Sequence, residues 1–221
     1  MSIDPAGRYS DPTFTELELA ALEWLDGFYQ LEHLLATRAW TIALCGQPSA
    51  ALKFAALVHD AERYFPGGPT STPGNGFDDP DYLFAHSMRS ADIVEAWMRE
   101  QRPRLDESLI GRVRALILRH EIGGGSEADI LQAADSLSFL ETLDWLTVEW
   151  VRNGHYTVER AREKLRWCVE RMRPPAAMPH ALPLYEQAVA LLHNAENADI
   201  DLKQRRWIAG SLDTLLGRAQ A

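Results

Sequence analysis

The 221-residue sequence predicts an all-α protein, a single-domain helical bundle with extra C-terminal helices. Three observations predict it. Apolar residues recur at helical spacing in one segment after another. Glycine, proline and cap-forming residues punctuate those segments. No segment alternates apolar and polar residues over the length of a strand, and no internal repeat is visible. The length fits one domain with a sizeable core.

The elements follow in order. Residues 1–12 are polar and read as a flexible N-terminus ahead of a helical domain over 13–221. Thr13 to about Gly46 reads as two helices with a bend near Asp26-Gly27. Gly46-Gln47-Pro48-Ser49 stops one helix and caps the next, Ser49–Tyr64. Residues 65–81, FPGGPTSTPGNGFDDPD, have no periodicity. So long a loop is either functional, here a lid, or a surface insertion. Helices follow over Tyr82–Gln101 and Asp106–Glu121, the second ended by Gly123-Gly124-Gly125. Ser126, with Asp129 three residues on, starts a helix that runs to about Val151, where Asn153-Gly154 breaks it. Thr157–Met172, Leu184–Asn194 and Leu202–Arg218 make up the C-terminal helices over 156–219.

Composition narrows the function. A net charge of −10 argues against binding nucleic acid or an anionic membrane surface. The N-terminus lacks a hydrophobic signal region, and no apolar run approaches the roughly 18 residues that span a bilayer. A cytoplasmic protein is expected. Cys45 and Cys168 lie in apolar helical stretches and read as free core thiols in a reducing compartment. The segment RAREKLRWCVERM reads as a basic amphipathic helix whose apolar side packs on the bundle. The C-terminal helices either complete the core or build a homo-oligomer interface.

Six residues point to chemistry: His33, the doublet His59-Asp60, His86, His120 and Asp135. Each shares a helical stripe with apolar or small residues. Leu52, Ala55, Ala56, His59 and Asp60 fall at i, i+3, i+4, i+7 and i+8; Ile110, Val113, Ile117 and His120 share a stripe, as do Leu131, Ala134, Asp135 and Ser138. Five helices thus aim ligand-type residues inward. A His-Asp doublet alone is weak, and a lone histidine on an apolar face is more often a hydrogen-bonded core residue than a ligand. The set carries the weight. Imidazole with carboxylate suits Fe, Mn, Co, Ni or Zn, and six ligands fit two divalent ions better than one. His155, His180 and His193 lack this support and read as surface or structural residues.

This arrangement resembles the HD superfamily of metal-dependent phosphohydrolases, all-helical domains named for their His-Asp doublet. The matching stretches are EHLLATRAW, ALKFAALVHDAER, FAHSMRSADIV, ILRHEIGG and EADILQAADSLSFLE, covering about residues 25–145. The resemblance implies a bundle of the HD-domain type, with His33, His59, Asp60 and Asp135 holding one metal. His86 and His120 match the extra histidines of dinuclear members, in which Asp60 would bridge. Arg63 stands where many members carry Lys or Arg and reads either as a cation for a substrate phosphate or as a solvated helix-end residue, and Arg89 lies three residues after His86 on nearly the same face; with Asp60 as the catalytic carboxylate, both are the arginines expected at the cleft. Glu121 reads as a surface carboxylate or as an acceptor behind a ligand histidine. The implied activity is hydrolysis of a phosphoester or phosphoanhydride in a small phosphorylated metabolite, a nucleotide first among them. The alternatives are a di-iron oxygenase of the same superfamily and a non-catalytic metal-stabilised binding domain.

Overall fold

A computed structural model describes residues 7–69 and 76–218. Among these the chain forms eleven α-helices and no strand. A capping box opens α1 (Glu16–Trp24): the Thr15 hydroxyl accepts from the Glu18 amide, and the Glu18 carboxylate accepts from the Thr15 amide. Gly27, at φ +84°, turns the chain toward α2 (Leu31–Cys45). Ser49 caps α3 (Ala50–Val58). Asp79 caps α4 (Pro80–Glu100), whose Pro80 sits in the first turn where no amide donor is needed. Asp106 caps α5 (Glu107–Ile117).

Two expected helices end early, and in both a ligand-type histidine follows the end. The helix expected to reach Tyr64 stops at Val58; Asp60 leaves helical backbone at φ −100°, ψ 14°, and Ala61–Tyr64 is a 3-10 turn. The Ser90 hydroxyl serves the break, donating to the His59 carbonyl at 2.5 Å and accepting from the Glu62 amide at 3.3 Å. The helix expected to reach Glu121 stops at Ile117, so His120 lies in the turn beyond α5.

The helix expected over Ser126–Val151 is two, α6 (Ser126–Thr142) and α7 (Asp144–Arg152). Ser126 is its first helical residue rather than its cap, and Asp129 accepts from the Gly124 amide at 2.8 Å instead of closing a box. Then come α8 (Val158–Glu170), α9 (Met178–His193), α10 (Leu202–Gly210) and α11 (Leu212–Leu216). A proline in the first turn lets α9 begin at Met178, ahead of the expected Leu184.

Long α2 and α6 pack along each other as the central pair. One apolar cluster lies on the side of α1, α3, α4 and α5, with Leu22, Phe54, Val94 and Ile117 buried. The other joins the end of α6 to α7, α8 and α9 through Trp145, Leu165, Cys168 and Leu192. The C-terminal helices therefore complete the core. Cys168 is buried as expected, but Cys45, the last residue of α2, is exposed. No helix among the described residues is long and apolar enough to cross a membrane.

Residues 7–12 are pinned despite their polarity. The Gly7 and Tyr9 amides donate to the carbonyls of Thr214 and Leu215, the Tyr9 side chain is buried, and Asp11 pairs with Arg38 at 2.7 Å. The lid expected over residues 65–81 lies partly outside the described residues, at 70–75. Its far side is anchored: Phe77 is buried against Tyr156 and Trp167, and Asp78 pairs with Arg160 at 2.5 Å.

One backbone approach is tight enough to test. The Gly27 amide donates to the Gly210 carbonyl at 2.9 Å, and a Cβ on Gly210 would lie 3.1 Å from the Gly27 carbonyl oxygen. Backbone cannot swing aside as a side chain can. Gly210→Ala is expected to lower stability by about 1–3 kcal/mol, read from urea denaturation. An unchanged or raised midpoint would show that the two turns have slack.

Candidate metal centre

The five expected helical segments bring all six ligand-type residues to one place. His33 comes from α2, His86 from α4 and Asp135 from α6, while His59-Asp60 and His120 come from the turns after α3 and α5. The four imidazoles are at most 1% exposed and the two carboxylates 7%. Neighbouring rings touch in the order His33, His59, His120, His86, with centroids 5.3, 5.1 and 5.1 Å apart.

Every imidazole is held by its Nδ1. Those of His59 and His120 face the carbonyls three residues back, Ala56 at 3.1 Å and Ile117 at 2.7 Å. Each histidine sits just past a helix end, where the chain turns the ring back onto the last carbonyls; the Ile117 carbonyl also accepts from the His120 amide at 3.3 Å. The Nδ1 of His86 meets Glu62 at 2.7 Å. The Nδ1 of His33 meets the Ser138 hydroxyl, whose own proton goes to the His33 carbonyl at 2.7 Å. In all four cases the partner is an acceptor, so Nδ1 carries a proton; Nε2, which in His86 lies 2.8 Å from Asp60 Oδ1, is the atom left to offer a lone pair to a metal ion once any proton on it is displaced.

Those lone pairs converge. The Nε2 atoms of His59 and His120 have no hydrogen-bond partner among the described residues. Two groups of three ligand atoms lie within 4.8 Å of one another: His33, His59 and Asp60, and Asp60, His86 and His120. Asp60 belongs to both. Asp135 Oδ1 adjoins the first group, 3.2 Å from His33 Nε2 and 3.4 Å from His59 Nε2. Unpartnered lone pairs facing carboxylates in a buried space leave a place for positive charge. These residues fit a metal ion, and an imidazole–carboxylate set suits the transition metals.

The charges around the cluster point the same way. Asp60 touches Arg63 at 3.0 Å, and Arg171 pairs with both Asp135 and Glu121. Glu62 faces Arg89 at 3.5 Å. Four carboxylates thus meet three guanidiniums, leaving one negative charge over. Burial would raise the Asp60 carboxyl, but Arg63 and the surrounding histidines outweigh it and hold it well below the usual carboxylate range. For Asp135, burial is likewise outweighed, chiefly by Arg171. Burial would lower His120, yet Asp60 and Glu121, each 3.6 Å from Nε2, push it up to about 10. A site that draws a proton so strongly draws a metal ion by the same field.

The two expected phosphate-binding arginines separate. Arg63 lines a cavity of about 170 Å³ together with His33, Asp60 and Asp135. Its Nε donates to Asp60 and its Nη1 to the Tyr82 hydroxyl at 2.7 Å; Nη2 has no partner among the described residues. Arg89 does not line the cavity, which corrects its expected place in the cleft. It lies behind Glu62 and donates to the Pro66 carbonyl at 2.6 Å. A residue three positions after His86 on α4 shares its side only approximately, and the buried Glu62 carboxylate captures the guanidinium first.

Sequence reasoning missed Glu62, Arg171 and the role of Ser138, and of its two readings of Glu121 the surface one fails. Glu121 is buried, bound to Arg171 from beyond α8. Glu62 had one available signal, its two-residue distance from the doublet. Arg171 had none, because its partners are distant in sequence. Of the three discounted histidines, His180 and His193 are exposed, while His155 lines the cavity.

Glu62 orients His86 from behind, as carboxylates commonly do for ligand histidines. Glu62→Gln keeps the shape but weakens the acceptor. It is expected to lower Mn(II) or Zn(II) affinity about 10–100-fold in a chelator-competition titration with the helical circular dichroism unchanged. Unaltered affinity would mean that His86 needs no such support. No family model, curated protein or solved structure matches this chain.

Proposed function

We propose that this chain is a metal-dependent phosphohydrolase of the HD type, cleaving a phosphoester or phosphoanhydride of a small phosphorylated metabolite such as a nucleotide. The observation that carries the reading is the sharing of Asp60 between two three-residue ligand groups at the base of a cavity that Arg63 also lines. His33, His59, Asp60 and Asp135 would hold one divalent ion, and Asp60, His86 and His120 a second. Such a pair supplies Lewis acidity toward a phosphoryl oxygen and acidifies a water for attack on phosphorus.

The chain's own residues do the rest. Asp60 turns Oδ1 toward the histidines and Oδ2 toward Arg63, so one carboxylate fixes both the metal ligands and the phosphate-binding cation. Arg63, held on Asp60 and Tyr82, keeps Nη2 for a phosphoryl oxygen, where a fixed guanidinium stabilises growing charge. The Nδ1 anchors hold each imidazole in its ligating tautomer before any ion arrives. Burial keeps bulk water from competing at the reacting phosphorus.

The test is metal content by inductively coupled plasma mass spectrometry on protein purified without an affinity-metal column, followed by a phosphoester and phosphoanhydride panel. Two ions per chain with phosphate release supported by several divalent metals is the expected result. Iron alone with oxygen uptake and no phosphate release would replace it with the oxygenase reading. Bound metal with no turnover on a broad panel would favour a non-catalytic binding domain.

A further inference from the structure

One cation in the cavity has no counter-ion. Arg63 is matched by Asp60, and Arg171 by Asp135 and Glu121. Lys164 also lines the cavity, yet no carboxylate lies within ion-pair distance of it among the described residues. The nearest acids are engaged elsewhere: Glu163 and Asp78 both pair with Arg160, although Asp78 also feels the Lys164 charge. The Lys164 ammonium lies instead over three rings, 4.3 Å from the centroid of Trp167, 4.8 Å from Phe139 and 5.5 Å from Phe77. Ring faces hold a cation in place without neutralising it. A half-buried charge collared by aromatic rings and opening on a cavity is built to receive an anion.

Its position says where that anion sits. Lys164, Trp167 and Arg171 follow one another at i, i+3 and i+7, with the Trp167 ring close to both cations. Arg171 touches Asp135 at the metal centre. Seven residues of chain, about 10 Å along a helix axis, separate it from Lys164. Elsewhere the lining mixes apolar and aromatic side chains, Leu143, Leu146, Trp150 and Tyr156 among them, with Gln30 and His155.

We propose that Lys164 recognises a second anionic group on the substrate, so that the accepted molecule is charged at both ends with an apolar or planar body between. The inference rests on the phosphohydrolase reading for the group at the metal end, and on Lys164 itself for the other. It names Lys164 as a specificity-determining residue, one that selects among phosphoesters rather than cleaving them.

The experiment is calorimetric titration of the full chain, supplemented with Mn(II), with three probe series of matched chain length. These are alkylphosphonates, ω-carboxyalkylphosphonates and α,ω-dicarboxylates. The ω-carboxylate is expected to tighten phosphonate binding about tenfold, the size of one charge-assisted contact. That gain should vanish in Lys164→Met, which keeps the apolar stem against the rings, and persist in Lys164→Arg. Unchanged alkylphosphonate affinity in Lys164→Met certifies that the variant is folded. No gain in the wild type, or a gain that survives Lys164→Met, overturns the inference and leaves the phosphohydrolase reading standing. Lys164-dependent binding of dicarboxylates with no phosphonate binding keeps the role of Lys164 and overturns that reading. Binding by neither class overturns both.

Discussion

Asp60→Ala is expected to remove metal from both positions and to lower turnover by about 10³-fold or more, the scale on which losing an electrostatic anchor of a reacting phosphoryl group acts. The expectation follows from geometry. Asp60 is the one residue common to both ligand groups. Its Oδ1 faces Nε2 of His86, His120 and His59 at 2.8, 3.6 and 3.8 Å, and its Oδ2 holds Arg63. Deleting any single histidine removes a donor from one group only. Deleting Asp60 removes a donor from each and sets Arg63 loose at once. Metal stoichiometry and turnover should therefore fall together in Asp60→Ala, whereas His86→Ala should keep the ion held by His33, His59, Asp60 and Asp135. Asp60→Asn separates charge from shape, since it keeps a carbonyl oxygen but no negative charge. Two ions retained in Asp60→Ala, with the circular dichroism of the wild type, would sink the bridging role.

Arg171→Met is expected to produce the largest loss of stability of any single change considered, about 3–5 kcal/mol by urea denaturation of metal-free protein. Arg171 is the common partner of Glu121 and Asp135, two buried carboxylates brought side by side from different elements. Its guanidinium also bonds the Ser136 hydroxyl at 2.7 Å and stacks over Trp167 at 4.2 Å. Burial raises both carboxyls on its own; Arg171 is the largest of the influences that reverse this and keep them ionised. Methionine matches the stem but leaves two buried negative charges without the guanidinium they share. They must then take up protons or pull the C-terminal end of α8 open to water. A lysine at this position offers one ammonium where a planar fork now serves two acids, so Arg171→Lys should recover only part of the loss. Added Mn(II) should restore part of the stability of Arg171→Met, because a bound cation offsets the same carboxylate charge. A stability change below about 1 kcal/mol would mean that Glu121 and Asp135 are well solvated, against their burial.

Both changes touch groups whose legibility in the sequence differs. Periodicity alone said that the chain is helical and which face of each helix turns inward, because helical spacing records burial one residue at a time. It thereby marked His33, His59, Asp60, His86, His120 and Asp135, and all six meet in one buried cluster. The same spacing could not say where helices stop. α3 ends before its histidine because the Ser90 hydroxyl, distant in sequence, receives the freed backbone, while α5 ends before His120 in the turn that Gly123 closes, a stop the glycines marked but whose start they did not. Those early ends matter, since they let the His59 and His120 Nδ1 atoms reach carbonyls three residues back.

Tertiary structure alone decided the surroundings of the cluster. The sequence placed Arg89 in the cleft and left Glu121 between the surface and the site, and packing decided both: Glu121 is buried beside Arg171, and Arg89 is drawn away by Glu62. Arg171 and Lys164 come from a helix that reads as merely basic and amphipathic, yet their side of it closes the cavity. The physical reason is the reach of each interaction. Burial of a side chain follows from its place along one helix, so it leaves a period in the sequence. An ion pair between residues 36 apart, such as Arg171 and Asp135, depends only on how two helices meet, and leaves none.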